Sequence, residues 1–203
     1  MIISGVCFLY LYLAVIPWKL ANGQEGTSEV VTTTRKLSGA WRFMQSPNIY
    51  LYLRSAPITY VKCIQADTAA KNMTTRTLTQ NIYVKFDTGV EPKWCKMRAS
   101  YEPIEMTYSG RRVRIFRSVD EERHAVTNYT FIHTLGECAI VRKSKQVGNN
   151  EVATTQELWV NDHFNASSKF CEIQFMKVCN CDGKAARFNL TDCTKPREAP
   201  ECP

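Results

Sequence analysis

The residues best placed to do chemistry cluster between Cys138 and Cys171. Glu157-Leu158-Trp159 sets a carboxylate beside two bulky apolar side chains, where burial without a partner disfavours the ionised form. Glu157 therefore either faces water or is paired. Trp159, two positions on, shares its strand face and serves as core packing, as ligand cage or as both. A second candidate is the basic run Arg111-Arg112-Val113-Arg114-Ile115-Phe116-Arg117, in which Arg112, Arg114 and Phe116 alternate onto one face. If that face is interior, cations beside an aromatic suit a carboxylated lipid; if exterior, it is a solvated basic surface. Tyr50 and Tyr52 lie opposite Ile49 and Leu51. Tyrosine gives a pocket wall both area and a hydroxyl, and suits an outer face beneath a helix equally well.

Other chemistry finds little support. The histidines are His124, His133 and His163, and no His-Glu-x-x-His, Gly-x-Ser-x-Gly or glycine-rich phosphate loop is present, so an enzyme is the least supported class and no catalytic residue, metal or cofactor is assigned. Cys179-Asn180-Cys181 has the look of a thiol or metal site, but in an oxidising compartment disulfides take precedence. Cysteines one residue apart rarely bridge each other, so Cys179 and Cys181 are expected to take different partners.

The compartment is legible from the termini and the cysteines. Residues 1–23 carry an apolar stretch from Val6 to Ile16 and end in Ala21-Asn22-Gly23; the stretch is too short to span a membrane and reads as a secretory signal peptide. The remaining 24–203 is expected to form a single domain. Cys7 leaves with the signal, and Cys63, Cys95, Cys138, Cys171, Cys179, Cys181, Cys193 and Cys202 form up to four disulfides. Sequons at Asn72, Asn128, Asn165 and Asn189 agree with secretion and place those positions at the surface. Loss of Lys19 leaves 25 basic against 19 acidic residues, a net charge of +6. On a secreted glycoprotein that excess is read as a solvated basic surface; neither nucleic acid nor membrane is an expected partner, and the chain is expected to be monomeric.

The elements that must hold these residues are mostly strands. Leu37, Ala40, Trp41 and Met44 fall at helical spacing, with Trp41 as buried anchor and a further candidate ligand contact. The period then changes to two over Ile49–Leu53, Thr59–Ile64, Thr77–Phe86, Lys93–Ala99, Ile104–Tyr108, Arg111–Phe116, Tyr129–His133, Cys138–Arg142 and Gln156–Val160. After Trp159 the spacing is helical again, with Asn165 or Ser167 able to cap a helix presenting Cys171, Phe175, Val178 and Cys179 on one face. The pattern implies an all-β protein with flanking helices. Its core would be an eight-stranded antiparallel up-and-down barrel of lipocalin shape, with a short amino-terminal helix and a carboxy-terminal helix packed outside, large enough for one small ligand.

Cys138-Ala139-Ile140, Glu157-Leu158-Trp159 and Cys171, together with Gly39-Ala40-Trp41-Arg42 and Ile49-Tyr50-Leu51-Tyr52-Leu53 before Cys63, resemble the tick salivary lipocalins of the histamine-binding family. The resemblance implies the pairs Cys138–Cys171 and Cys63–Cys193, leaving Cys95, Cys179, Cys181 and Cys202 to be matched. It also implies that an aspartate after the first signature cysteine joins the glutamate in holding an amine. Here Ala139 replaces that aspartate, which weakens an amine by a few kcal/mol while Glu157 keeps one subsite. The implied ligands are histamine, serotonin, eicosanoids and sterols, with an amphiphilic lipid slightly preferred. The implied role is stoichiometric sequestration of a host inflammatory mediator, in evasion of host immunity and haemostasis. The alternative is a protein-binding immunomodulator acting on complement or immune cells through its outer surface.

Overall fold

The computed structural model describes residues 39–108, 111–122, 124–147, 151–165, 169–181, 184–194 and 198–202. Two units are distinguished, Met1–Arg35 and Lys36–Pro203. The first, which contains the signal segment inferred from sequence, lies outside the described residues. Within the second, the alternating runs become β1 Asn48–Arg54, β2 Val61–Asn72, β3 Thr77–Phe86, β4 Lys93–Tyr108, β5 Arg111–Asp120, β6 Val126–Thr134, β7 Cys138–Val147 and β8 Glu151–Asn161. All pair antiparallel in chain order, and β1 pairs with β8 as well as with β2, so the sheet closes on itself. Closure gives the barrel strands partners on both sides and limits the exposed edges an open sheet would present. A two-residue strand, β9 Ala186–Arg187, lies outside the barrel on β1, opposite Leu53 and Arg54.

Two runs expected to be separate, Lys93–Ala99 and Ile104–Tyr108, are one strand that continues through Pro103. Proline is tolerated there because β3 stops pairing with β4 at Leu78↔Tyr101. Beyond that point β4 has one neighbour, β5, with Pro103 opposite Phe116, so no ladder on the other side requires the missing N–H. Pairing of β5 with β6 likewise begins only at Ile115. The outer half of the β4–β5 hairpin therefore projects past its neighbours as a two-stranded ribbon.

A bulge in β1 has the largest consequence for function. Tyr50 pairs with Val160 and Leu51 with Trp159, but the register then shifts so that Leu53 pairs with Leu158 and Arg54 with Glu157. Directly opposed residues share a face, so Leu51 points inward with Trp159 whereas Leu53 points outward with Leu158. One extra residue in the strand re-aims everything after it. Arg54, which strict alternation would place outside, comes round to the side of Glu157.

The helices close and brace the barrel. α1 Gly39–Met44 buries Ala40, Trp41, Phe43 and Met44, with Trp41, Leu78, Tyr101 and Phe116 packed in one cluster that fills one end of the barrel. A Cβ on Gly39, the first residue of α1, would make ordinary van der Waals contact with Thr134 at the end of β6, 3.4 Å from its Cβ. α2 Phe170–Cys179 lies on the outer face of β7 and β8. It starts after Lys169, which makes no side-chain cap, rather than after Asn165 or Ser167; Ser167 itself is outside the described residues. Cys171, Phe175 and Cys179 pack against Tyr52, Leu53, Ile140, Leu158 and Val160.

The disulfides fix these additions to the barrel. Cys138–Cys171 ties α2 to β7, and Cys63–Cys193 ties β2 to a 3-10 turn at Leu190–Cys193; these are the two pairs implied by the resemblance. Cys95–Cys202 ties the tail to β4, where Lys96 N donates to Pro200 O at 2.8 Å and Cys202 N to Lys96 O at 2.9 Å. The tail thereby occupies the stretch of β4 that β5 leaves unpaired. The remaining bond joins Cys179 to Cys181, against the expectation of separate partners. The reason lies in the backbone of Asn180, which caps α2 in the left-handed conformation, φ 49° and ψ 41°. That turn folds the chain back and holds the two Cα atoms 5.2 Å apart, inside the range a disulfide spans.

Candidate functional site

The inward side chains of the barrel surround a cavity of about 260 Å³. Its wall is mostly apolar, with Ile64, Ile82, Val84, Met97, Phe131 and Val141, and Phe43 and Met44 of α1 contribute to the lining. Against this wall stand Tyr101, Tyr129, Lys143, Lys145, Asp120, Glu157 and Trp159. The composition is that of a small-molecule site, an apolar body with a few convergent polar groups.

Glu157 lies at the centre of the polar set and is only 1% exposed. A carboxylate so buried requires compensation, and both its oxygens have it. Arg54 Nε donates to Oε1 at 3.2 Å, Lys143 Nζ stands 3.7 Å from the same oxygen, and Trp159 Nε1 donates to Oε2 at 2.9 Å. The arginine is itself anchored, donating to Ala56 O at 2.8 Å and to Thr155 Oγ1 at 3.4 Å. Lys143 also lies 5.6 Å over the ring of Tyr129, a favourable cation–π geometry. Burial, reinforced for Tyr129 by the Glu157 charge, pushes the Tyr101 and Tyr129 phenols far above their ordinary range. Both are therefore neutral hydroxyls at physiological pH. Two cations thus serve Glu157, and Lys145 and Asp120 also line the cavity, so three cations in and around it face two carboxylates.

The position where the resemblance implies an aspartate is packed shut. Ala139 is 0% exposed and lies in a cluster with Phe43, Ile49, Ala66 and Val141. An anion introduced there would meet hydrocarbon.

Of the residues singled out from the sequence, Glu157 and Trp159 line the cavity, whereas Tyr50, Tyr52, Trp41, Phe116 and Arg114 do not. Tyr50 and Tyr52 are on the outer face: Tyr50 donates to Asp162 Oδ1 at 2.8 Å, and Tyr52 is packed beneath α2, donating to Glu172 Oε1 at 2.6 Å and accepting from Arg187. Tyr50 follows its partner Val160 outward, and Tyr52, at the bulge of β1, packs outward beside Leu53. Trp41 is fully buried in the plug, stacked on Phe116 at 6.2 Å between ring centroids; both belong to the closed end, not to the cavity wall. Arg114 is exposed because its part of β5 lies in the projecting ribbon, where there is no interior to face. The side chain of Arg112 lies outside the described residues. Asn72, Asn128, Asn165 and Asn189 are all exposed, so glycans at these positions would meet no steric obstacle from burial.

The sequence reading missed Arg54 and Lys143. Lys143 could have been found by parity, since it lies two residues from Val141, the residue opposite Glu157. Arg54 could not be found by alternation, because only the bulge brings it inward.

Two solved structures are similar to this chain. The siderocalin Ex-FABP is 9% identical, with coverage of 71% of this chain and 93% of that one and a TM-score of 0.46. Japanin from Rhipicephalus appendiculatus, in a structure bound to cholesterol, is 14% identical, with coverage of 68% and 90% and a TM-score of 0.45. No curated protein sequence matches the chain. The family model for tick histamine binding protein matches residues 32–195, the span that holds every barrel strand, both helices and the Glu157 site, and the chain belongs to that family.

Proposed function

We propose that this protein is secreted and sequesters a small amphiphilic host mediator, with the apolar body of the ligand in the barrel and a carboxylate or hydroxyl beside Lys143. One observation carries the reading: both oxygens of Glu157 are already held by Arg54, Lys143 and Trp159. An ammonium ligand would have to displace one of these donors, and the second anion that would help it is replaced by a packed Ala139. A carboxylate instead meets a cluster with a surplus of positive charge, inside an apolar wall that strengthens the interaction. The cavity is close to the lower bound of about 300 Å³ typical of ligand pockets. That size suits a slim acyl chain better than a rigid fused-ring body. Capture without chemistry requires the protein to be abundant and tight-binding, and would lower the free concentration of the mediator in the service of evading host immunity and haemostasis.

Isothermal titration with arachidonic acid and with histamine tests the reading. The fatty acid is expected to bind, with affinity reduced at least tenfold in Lys143→Met, as loss of a charge-assisted contact implies. Tight histamine binding that disappears in Glu157→Gln and survives Lys143→Met would refute it.

A further inference from the structure

α2 is apolar on both sides. Its inner face carries Cys171, Phe175 and Cys179, all buried. On its outer face Phe170 is 49% exposed, Ile173 50% and Met176 38%, at the i, i+3, i+6 spacing that keeps side chains on one helical stripe. A ten-residue helix on a soluble barrel normally turns polar residues outward, so a continuous exposed stripe marks a surface for association.

The charges that share this arc identify the occupant. Lys169 and Lys177 are exposed and flank the stripe, whereas the one carboxylate of the helix, Glu172, is engaged by Arg187 through Nη1 at 2.9 Å and Nη2 at 2.8 Å. The free surface of α2 is therefore cationic and apolar, without a competing anion of its own, on a chain whose residues 24–203 carry a net charge of +6. Lysines whose stems flank large apolar side chains match the boundary of an anionic bilayer, where the ammonium groups meet headgroup phosphates and the apolar groups enter the acyl region. The helix cannot turn this stripe inward, because Cys138–Cys171 and the packing of Phe175 fix its other face to the barrel.

We propose that the outer face of α2 docks the protein peripherally on anionic phospholipid surfaces, through Phe170, Ile173 and Met176 with Lys169 and Lys177 on the headgroups. This departs from the sequence expectation of no membrane partner. It does not depend on the identity of the cavity ligand. Among the described residues no helix is long and apolar enough to cross a membrane, and the docking invoked is interfacial.

Co-sedimentation of the secreted protein with phosphatidylserine–phosphatidylcholine vesicles, compared with phosphatidylcholine alone, tests the proposal, using both the glycosylated and the enzymatically deglycosylated forms. Retention by the anionic vesicles is expected in at least one form and should fall as salt is raised. Ile173→Ser should weaken it about tenfold, as loss of a half-buried aliphatic contact implies. Lys177→Glu should weaken it further than Lys177→Gln, and circular dichroism of each variant should match that of the parent. Retention by neither vesicle, equal retention by both, or binding unaffected by Ile173→Ser would overturn the proposal. So would a concentration-dependent dimer abolished by Ile173→Ser, which would make the occupant a second copy of the chain.

Discussion

Replacing Arg54 with leucine should be more damaging than neutralising the carboxylate it serves. In the native protein the Arg54 Nε lies 3.2 Å from an oxygen of Glu157, which is 1% exposed. Removing one member of a buried pair usually destabilises by about 3–5 kcal/mol, because the survivor is left charged in a poor solvent. Two features reduce that figure: Lys143 remains 3.7 Å away, and Trp159 still donates at 2.9 Å. A loss of about 2 kcal/mol is therefore expected for Arg54→Leu. Glu157→Gln should be milder, about 1 kcal/mol, since the amide oxygen can still accept from Trp159 and the guanidinium keeps Ala56 O at 2.8 Å and Thr155 Oγ1 at 3.4 Å. The double variant should be less destabilised than the sum of the two, with a coupling of about 1 kcal/mol or more for groups in direct contact. Urea unfolding with disulfides intact would read these values; with a slope of about 2 kcal/mol/M the Arg54→Leu midpoint should fall by about 1 M. The same variant leaves Lys143 as the one cation on that oxygen of Glu157 and should acquire measurable affinity for histamine. Equal losses in the two single variants, or strict additivity in the double, would show that Arg54 and Glu157 do not act as a pair and would remove the basis of the proposed ligand preference.

Two further outcomes follow from the outer scaffold. Loop-closure entropy assigns about 5 kcal/mol to the Cys63–Cys193 bond, which spans 130 residues, and about 1 kcal/mol to Cys179–Cys181, which spans 2; serine pairs at the two sites, compared by thermal unfolding, should differ in that order, and equal losses would contradict the ranking. The Arg187 hydrogen bonds, opposed by burial and aided by Tyr52, lower the Glu172 pKa to about 2. A depressed carboxylate pKa contributes stability that is complete above its unfolded value and fades as pH falls through its folded one. The Tyr52–Glu172–Arg187 cluster should therefore lose its contribution between about pH 4.5 and pH 2, and because Arg187 is half exposed the loss is about 1 kcal/mol or less. Glu172→Gln should remove that part of the acid transition, and an unchanged profile would count against the assignment.

The barrel was legible because its cause is local. A strand with one face on a core must alternate, and Thr77–Phe86 does so clearly enough that its run coincides with β3. Where context beyond the strand decides, the reading fails. Nothing near Pro103 reveals that β3 ends its pairing at Tyr101, which is what allows one strand to continue where two were expected. The basic run of β5 has a regular pattern, but the ribbon that carries Arg114 projects beyond the barrel, so its alternation has no inside and outside to report. The site shows the same division more sharply. Glu157 is recognisable as an awkward carboxylate on a strand, whereas its principal partner is supplied by a bulge. Ile49-Tyr50-Leu51-Tyr52-Leu53 is a regular alternation as written, yet Tyr52 and Leu53 are both buried beneath α2. Two successive residues cannot point to the same side of a regular strand, so burying both under one helix requires the extra residue, and the extra residue turns Arg54 inward. The helix outside the barrel thereby determines which cation meets the anion inside it.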